Sequence, residues 1–195
     1  VLIGITLINL DRPEEALVHL KKAEEKAVEG SVNLAEIYQE MDFALSRLGR
    51  VKEALTHVDK AIATEIGNKD ELTVLKGHIE LENGNPFAAQ EFFLEAVRDS
   101  NSPSNVYFRI AVSVYDNGYM QLAYKMFHTL FQSAPTDWKD GYSHMALCCK
   151  LINKKDEYLH YLKKACKLNP IEAKNVLGEY FPKGLEPENY YNYII

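Results

Sequence analysis

A short pattern returns along this chain about every 35 residues, and a repeat of that length is two helices and a turn. Its anchors are Ala16, Ala54, Ala89, Ala123 and Tyr158. About two helical turns further on stand Ala23, Ala61, Ala96, Leu130 and Ala165, so each pair shares one helix face. Upstream of every anchor, at one fixed distance, lie Gly4, Asp42, Gly77, Ala111 and Ala146, mostly small. Between the two stretches come Asn9, Asp11 to Pro13, Gly49, Gly84 to Pro86, Asn117-Gly118 and Asn153. Gly or Asn just past a helix end supplies a left-handed cap, and Pro13 and Pro86 suit the first turn of the next helix. Asn101-Ser102-Pro103, Ala134-Pro135-Thr136 and Asn169-Pro170 close the units, since proline pushes the residue before it out of the helix.

The expectation is antiparallel helical hairpins whose helices run about twelve to fifteen residues. One such hairpin cannot cover its own apolar faces, so neighbours stack. Tyr38, Phe93, Tyr107, Phe127 and Tyr142 would fill the spaces that the small residues leave.

At this point the residues resemble the tetratricopeptide repeat (TPR) family. The best match runs from Tyr107 to Pro135 through Ile110-Ala111, Val114, Gly118, Leu122-Ala123 and Phe127. The next is Tyr142 to Pro170, with Met145-Ala146, Cys149 and Ala165. The resemblance implies an all-α fold, a right-handed superhelical array of antiparallel hairpins. It covers about five hairpins over 1–180, the first incomplete, with Glu172 to Tyr180 as a capping helix. Residues 181–195 form an aromatic tail that packs back, pairs with a neighbour or stays free. Three departures stand out. Asp42 replaces a small residue, Tyr158 replaces an alanine and would part its hairpin, and Lys76 and Glu80 imply a rotated helix.

Composition narrows the functional classes. The net charge is -6 and the basic residues are scattered, with acidic neighbours near Lys21-Lys22, Lys154-Lys155 and Lys163-Lys164. That pattern speaks against nucleic acid, which selects a basic face. Cys148, Cys149 and Cys166 are odd in number and two are adjacent, so they read as buried thiols, not disulfides. Zinc would need four ligands, and no CxxC or matching His pair supplies them. The apolar start from Val1 to Leu10 is too short to span a bilayer, which takes about 20 residues, and lacks a basic flank. It reads as a helix whose preceding neighbour is missing, in a chain that begins without Met and is a fragment or processed product. The compartment is open, with cytoplasm the default.

No HExxH, GxSxG, GxGxxG or P-loop is present, and His57 and Asp59 point to different sides of one helix. No catalytic residues, cofactor or metal site are expected. His19, His57 and His128 read as surface residues on second helices.

In the family resembled, first helices line a concave groove. Carried over by phase, that face holds Gln39, Glu40, Phe43 and Arg47 in the second unit, and Leu75, His78 and Glu82 in the third. It continues with Asn105, Phe108, Arg109, Val112 and Tyr115 in the fourth, and Ser143, His144, Leu147 and Lys150 in the fifth. Aromatic and arginine residues are common binding anchors, although core packing competes for each aromatic. Some family members clamp a peptide's terminal carboxylates with Lys, Asn and Arg. Here Arg109 fits, but Asn105, Val74, Leu75 and His78 occupy the other places, which disfavours a chaperone-tail partner. The chain is thus expected to be a non-catalytic protein- or peptide-binding scaffold. The alternative is a regulatory, sensory or oligomerisation segment of a larger multidomain protein, self-associating through Leu2, Ile5 and Ile8.

Overall fold

The computed structural model describes residues 1–27, 32–63, 68–133, 138–139, 141–181 and 183–184. Among them every regular element is helical. The first ten helices are α1 Leu2–Asn9, α2 Pro13–Glu24, α3 Val32–Arg47, α4 Val51–Ala63, α5 Lys69–Glu82, α6 Pro86–Asp99, α7 Pro103–Asp116, α8 Met120–Ser133, α9 Gly141–Leu151 and α10 Lys155–Leu168. Next come α11 Pro170–Leu177 and a 3-10 turn Gly178–Tyr180, so the expected capping helix is divided at Gly178. The tail from residue 185 onward lies outside the described residues.

Each hairpin turns in the same way. Asp11, Gly49, Gly84, Gly118 and Asn153 all hold positive φ, between 57° and 81°. The amides of Arg12, Arg50, Asn85, Tyr119 and Lys154 donate back to Leu7, Leu45, Glu80, Val114 and Cys149, at 2.8 to 3.1 Å. The positive-φ residues themselves donate to Ile8, Ser46, Leu81, Tyr115 and Lys150. This double bond pattern is the Schellman cap, which satisfies carbonyls that a helix end leaves open. Proline then opens α2 and α6, where a missing amide hydrogen costs nothing.

Packing follows the anchor register. Ala16, Ala54, Ala89 and Ala123 are buried, as are Ala61, Ala96, Leu130 and Ala165. The upstream position meets the residue one turn beyond the anchor. A Cβ on Gly4 would lie 2.7 Å from Leu20, and one on Gly77 would lie 2.3 Å from Phe93. By the same register Val58 stands opposite Asp42, Phe127 opposite Ala111 and Leu162 opposite Ala146. A large residue faces glycine or alanine, and the smallest of the series faces the aspartate.

The helices fall into two compact units, Val1–Val106 and Tyr107–Ile195, divided within α7. In the first, α3 and α5 each pack on their hairpin partner and on the preceding hairpin: α3 touches α1, α2 and α4, and α5 touches α3, α4 and α6. One core runs through it from Leu7 and Leu20 through Met41, Leu45 and Val58 to Leu75 and Ile79. In the second, α9 packs on α8, α10 and α11.

Two of the three departures from the repeat are accommodated by hydrogen bonds. Asp42 is fully buried. Helix α5 is buried on almost every side, through Leu72, Thr73, Val74, Leu75, Ile79 and Leu81. Glu80 is accommodated there by a bond from the Asn85 side-chain amide at 2.8 Å. Tyr158 is buried within the α9–α10 hairpin and donates its hydroxyl to the Tyr180 carbonyl at 3.1 Å. On α1, Leu2 and Ile3 are the exposed apolar residues, whereas Ile5 is half-buried and Ile8 is buried, because Ile8 turns inward with Leu7.

Candidate functional site

In the first unit the candidate face comprises α3 and α5. Gln39 is exposed and Phe43 is half-buried, edge-on to His78 with ring centroids 6.4 Å apart. Arg47 is exposed but already engaged: it donates to the Ile8 carbonyl at 3.2 Å and to Asp11 at 3.4 Å, tying α3 to the first turn. Ser46 donates to Glu82, joining the ends of α3 and α5. Burial, reinforced by the charge on Glu36, raises the Glu40 carboxyl. Asn105 is exposed near the start of α7, on the first unit's side of the division.

In the second unit the candidates separate into open and packed groups. Arg109 and Lys150 are exposed; Val112, Tyr115 and His144 are half-buried. Tyr115 meets His144 edge-on at 5.1 Å, and burial pushes its hydroxyl up to about 12. The Lys150 ammonium lies 5.1 Å from the Tyr158 ring centre. Phe108 is taken up by packing: its ring stacks on Trp138 at 5.3 Å, tilts against Phe127 at 5.9 Å, and abuts Gly141. Leu147 is buried, with 6% of its surface accessible, because it turns toward neighbouring helices. Leu147 is therefore closed to a partner, whereas Phe108 is half-buried with its ring engaged by Trp138 and Phe127. Trp138 carries no repeat signal in the sequence, since it stands between the periodic stretches; only its size marks it as a core residue.

Helices α8, α9 and α10 hold a second group that the phase argument passes over. Phe131, Tyr142 and Tyr161 pack mutually, with centroids 5.0 to 6.2 Å apart. The Lys164 ammonium lies 5.0 Å from the Tyr142 ring centre and 6.0 Å from that of Tyr161. At the start of α10, Lys154 donates to Glu157 at 2.6 Å and to the Tyr124 hydroxyl at 3.0 Å, and that hydroxyl donates to Glu157 at 2.7 Å. These bonds hold the Glu157 carboxyl below its usual range.

Among the described residues, no group of three or more His, Cys, Asp or Glu could hold a metal ion. No helix among them is long and apolar enough to cross a membrane. The three thiols are buried, and burial pushes Cys148 and Cys149 up to about 12 and Cys166 to about 11, which makes them poor nucleophiles.

The caps, anchors and small-against-large register define the class: this is the fold of the tetratricopeptide-repeat proteins. The chain is similar to the C-terminal part of a TPR repeat-containing protein from Cytophaga hutchinsonii. Identity is 17%, over 97% of this chain and 76% of that one, with a TM-score of 0.50. It is also similar to a chain of the APC/C hetero-tetramer Cut9-Hcn1, at 13% identity over 99% of this chain and 41% of that one, TM-score 0.51. YrrB, a TPR protein with an unusual peptide-binding site, is similar at 18% identity over 88% of this chain and 87% of its own, TM-score 0.46. No family model and no curated protein matches the sequence.

Proposed function

We propose that the chain is a non-catalytic scaffold that binds a protein or peptide on the first-helix face of its second unit. The observation that carries this is the open row on α7 and α9. It consists of Arg109 and Lys150, exposed, with the Tyr115–His144 edge pair between them in sequence. Arginine and tyrosine give large contacts at low entropic cost, and a fold whose surface is built from repeated helices presents them rigidly. The test is selection of a displayed twelve-residue peptide library on the chain, followed by titration of the winners. Alanine at Arg109, Tyr115 and Lys150 together is expected to weaken binding at least tenfold. Phe108 is left intact, since its loss would unpack Trp138. Undiminished binding would remove the groove from the reading.

A second reading, self-association through α1, is favoured by Leu2, Ile3 and Leu10, which keep 81%, 59% and 61% of their surface open. Sedimentation over a hundredfold concentration range distinguishes it: Leu2→Ser with Ile3→Ser should abolish any dimer, and a wild-type chain monomeric throughout would exclude it.

A further inference from the structure

We propose that Asn83 and Asn117 are modification sites: when the hairpin turn opens, each asparagine converts unaided to aspartate and isoaspartate, and the converted turn is weakened. These are the asparagines of the sequence that precede a glycine. A glycine nitrogen is the least hindered backbone nucleophile, because no Cβ stands beside it. Gly84 and Gly118 are both exposed, and a Cβ built on either would meet nothing within 4 Å. Asn153 holds the positive φ of the last hairpin, but the nitrogen after it belongs to Lys154 and carries the hindrance of a side chain.

The reaction balances with water alone. The Gly84 nitrogen attacks Cγ of Asn83, and the new C–N bond closes a five-membered succinimide. The Cγ–Nδ2 bond breaks, and Nδ2 leaves as ammonia with the proton that the Gly84 amide gave up. Water then cleaves the ring at one of its two carbonyls. Cleavage at Cγ leaves aspartate on the original main chain. Cleavage at the main-chain carbonyl leaves isoaspartate, with the chain rerouted through Cγ.

The folded turn holds the reacting atoms apart. Asn83 has φ -91° and ψ 10°, so the Gly84 nitrogen nearly eclipses Asn83's own nitrogen. Tetrahedral geometry then puts it well away from Cβ, whereas ring closure needs those two nearly eclipsed. The Gly84 amide donates to the Leu81 carbonyl at 3.0 Å. The Asn83 Nδ2 donates to the Ile79 carbonyl at 2.8 Å and to Ser46 Oγ at 3.4 Å. At the second site the Gly118 amide donates to the Tyr115 carbonyl at 2.9 Å, and Asn117 Nδ2 to the Ser113 carbonyl at 2.9 Å. Conversion requires these bonds to open, so the native rate is the open-state rate multiplied by the fraction open.

The product cannot restore these bonds. A carboxylate has no hydrogen to give the Ile79 or Ser113 carbonyl. It also adds negative charge at the C-terminal end of α5 or α7, where the helix dipole is already negative. At residue 83 the new charge follows directly on Glu82, which accepts the Ser46 hydroxyl. Isoaspartate goes further and inserts a methylene carbon into the main chain of the cap.

The full chain is incubated at pH 8, native and in concentrated urea. Its asparagines are followed by peptide mass spectrometry, with isoaspartate detected by methyltransferase labelling. In urea, Asn83 and Asn117 should convert at least tenfold faster than Asn101 and Asn153. There Gly84→Ala should slow Asn83 at least tenfold and leave Asn117 unchanged. In the native chain both sites should convert at least tenfold more slowly than in urea. Asn83→Asp, which reproduces the converted turn, should melt about 2–4 °C below the wild type at pH 8. The gap should narrow at pH 4, where a protonated carboxyl donates again, which keeps the test sound if the variant fails to fold at pH 8. The proposal is overturned if Asn101 or Asn153 keeps pace in urea, if native and urea rates agree, or if Asn83→Asp melts with the wild type.

Discussion

Asp42 occupies the position where glycine or alanine stands in the other four hairpins, and it is fully buried. Neither carboxylate oxygen has a hydrogen-bond partner among the described residues. Burial, with a smaller contribution from the charge on Asp59, pushes its carboxyl up to about 9. The folded state therefore keeps a proton that the unfolded chain, with an ordinary carboxyl near 4, gives up. Between those two values folding binds protons, so stability is greatest at the acid end and falls as pH rises toward 9. Urea titrations at pH 5 and pH 8 should show this decline in the wild type and a much flatter profile in Asp42→Ala. At pH 8 the alanine variant should be more stable by about 1–3 kcal/mol, the penalty of an unsatisfied buried polar group. Adding Val58→Leu, which reproduces the Ala146–Leu162 pairing, should raise stability further; a fall would refute the register assigned to Asp42.

At the scale of the hairpin, close approach and turn geometry can be tested separately. Gly77→Ala places a methyl group 2.3 Å from the Phe93 ring and should cost about 1–3 kcal/mol, partly recovered by Phe93→Leu. At Gly118 a Cβ would meet nothing within 4 Å, yet the backbone φ is 81°. There the cost of alanine is purely conformational, about 1–2 kcal/mol by thermal denaturation. Asparagine at Gly118 should cost less, because Asn153 already fills the equivalent place in the last hairpin. These elements were legible in the sequence, since small residues, turn residues and prolines keep one phase over about 35 residues. The all-round burial of α5 was not. Its apolar residues run on several faces, and phase alone cannot tell a rotated helix from one enclosed by neighbours.

For the molecule as a whole, the candidate site was legible as a face and not as a surface. Phase placed Arg109, Tyr115, His144 and Lys150 on first helices, but could not tell that Trp138 would claim Phe108 or that Leu147 would turn inward. Those outcomes depend on what covers a residue from another element. The same limit hid Lys164, whose setting is made by rings on α9 and α10. The three buried thiols supply a global readout. Ellman's reagent at pH 8 should leave the native chain unlabelled over minutes and titrate all three cysteines in denaturant; fast native labelling would show that α9 and α10 are less closed than their packing implies.

The five identical caps have a consequence for how such a chain changes over evolutionary time. Each turn is closed by main-chain amides and carbonyls, so glycine, aspartate and asparagine all serve there, and the neighbouring letters are free to drift. A fold held by backbone geometry and a handful of small side chains tolerates wide change in the text, and chains of the same fold stand at only 13% and 17% identity to this one.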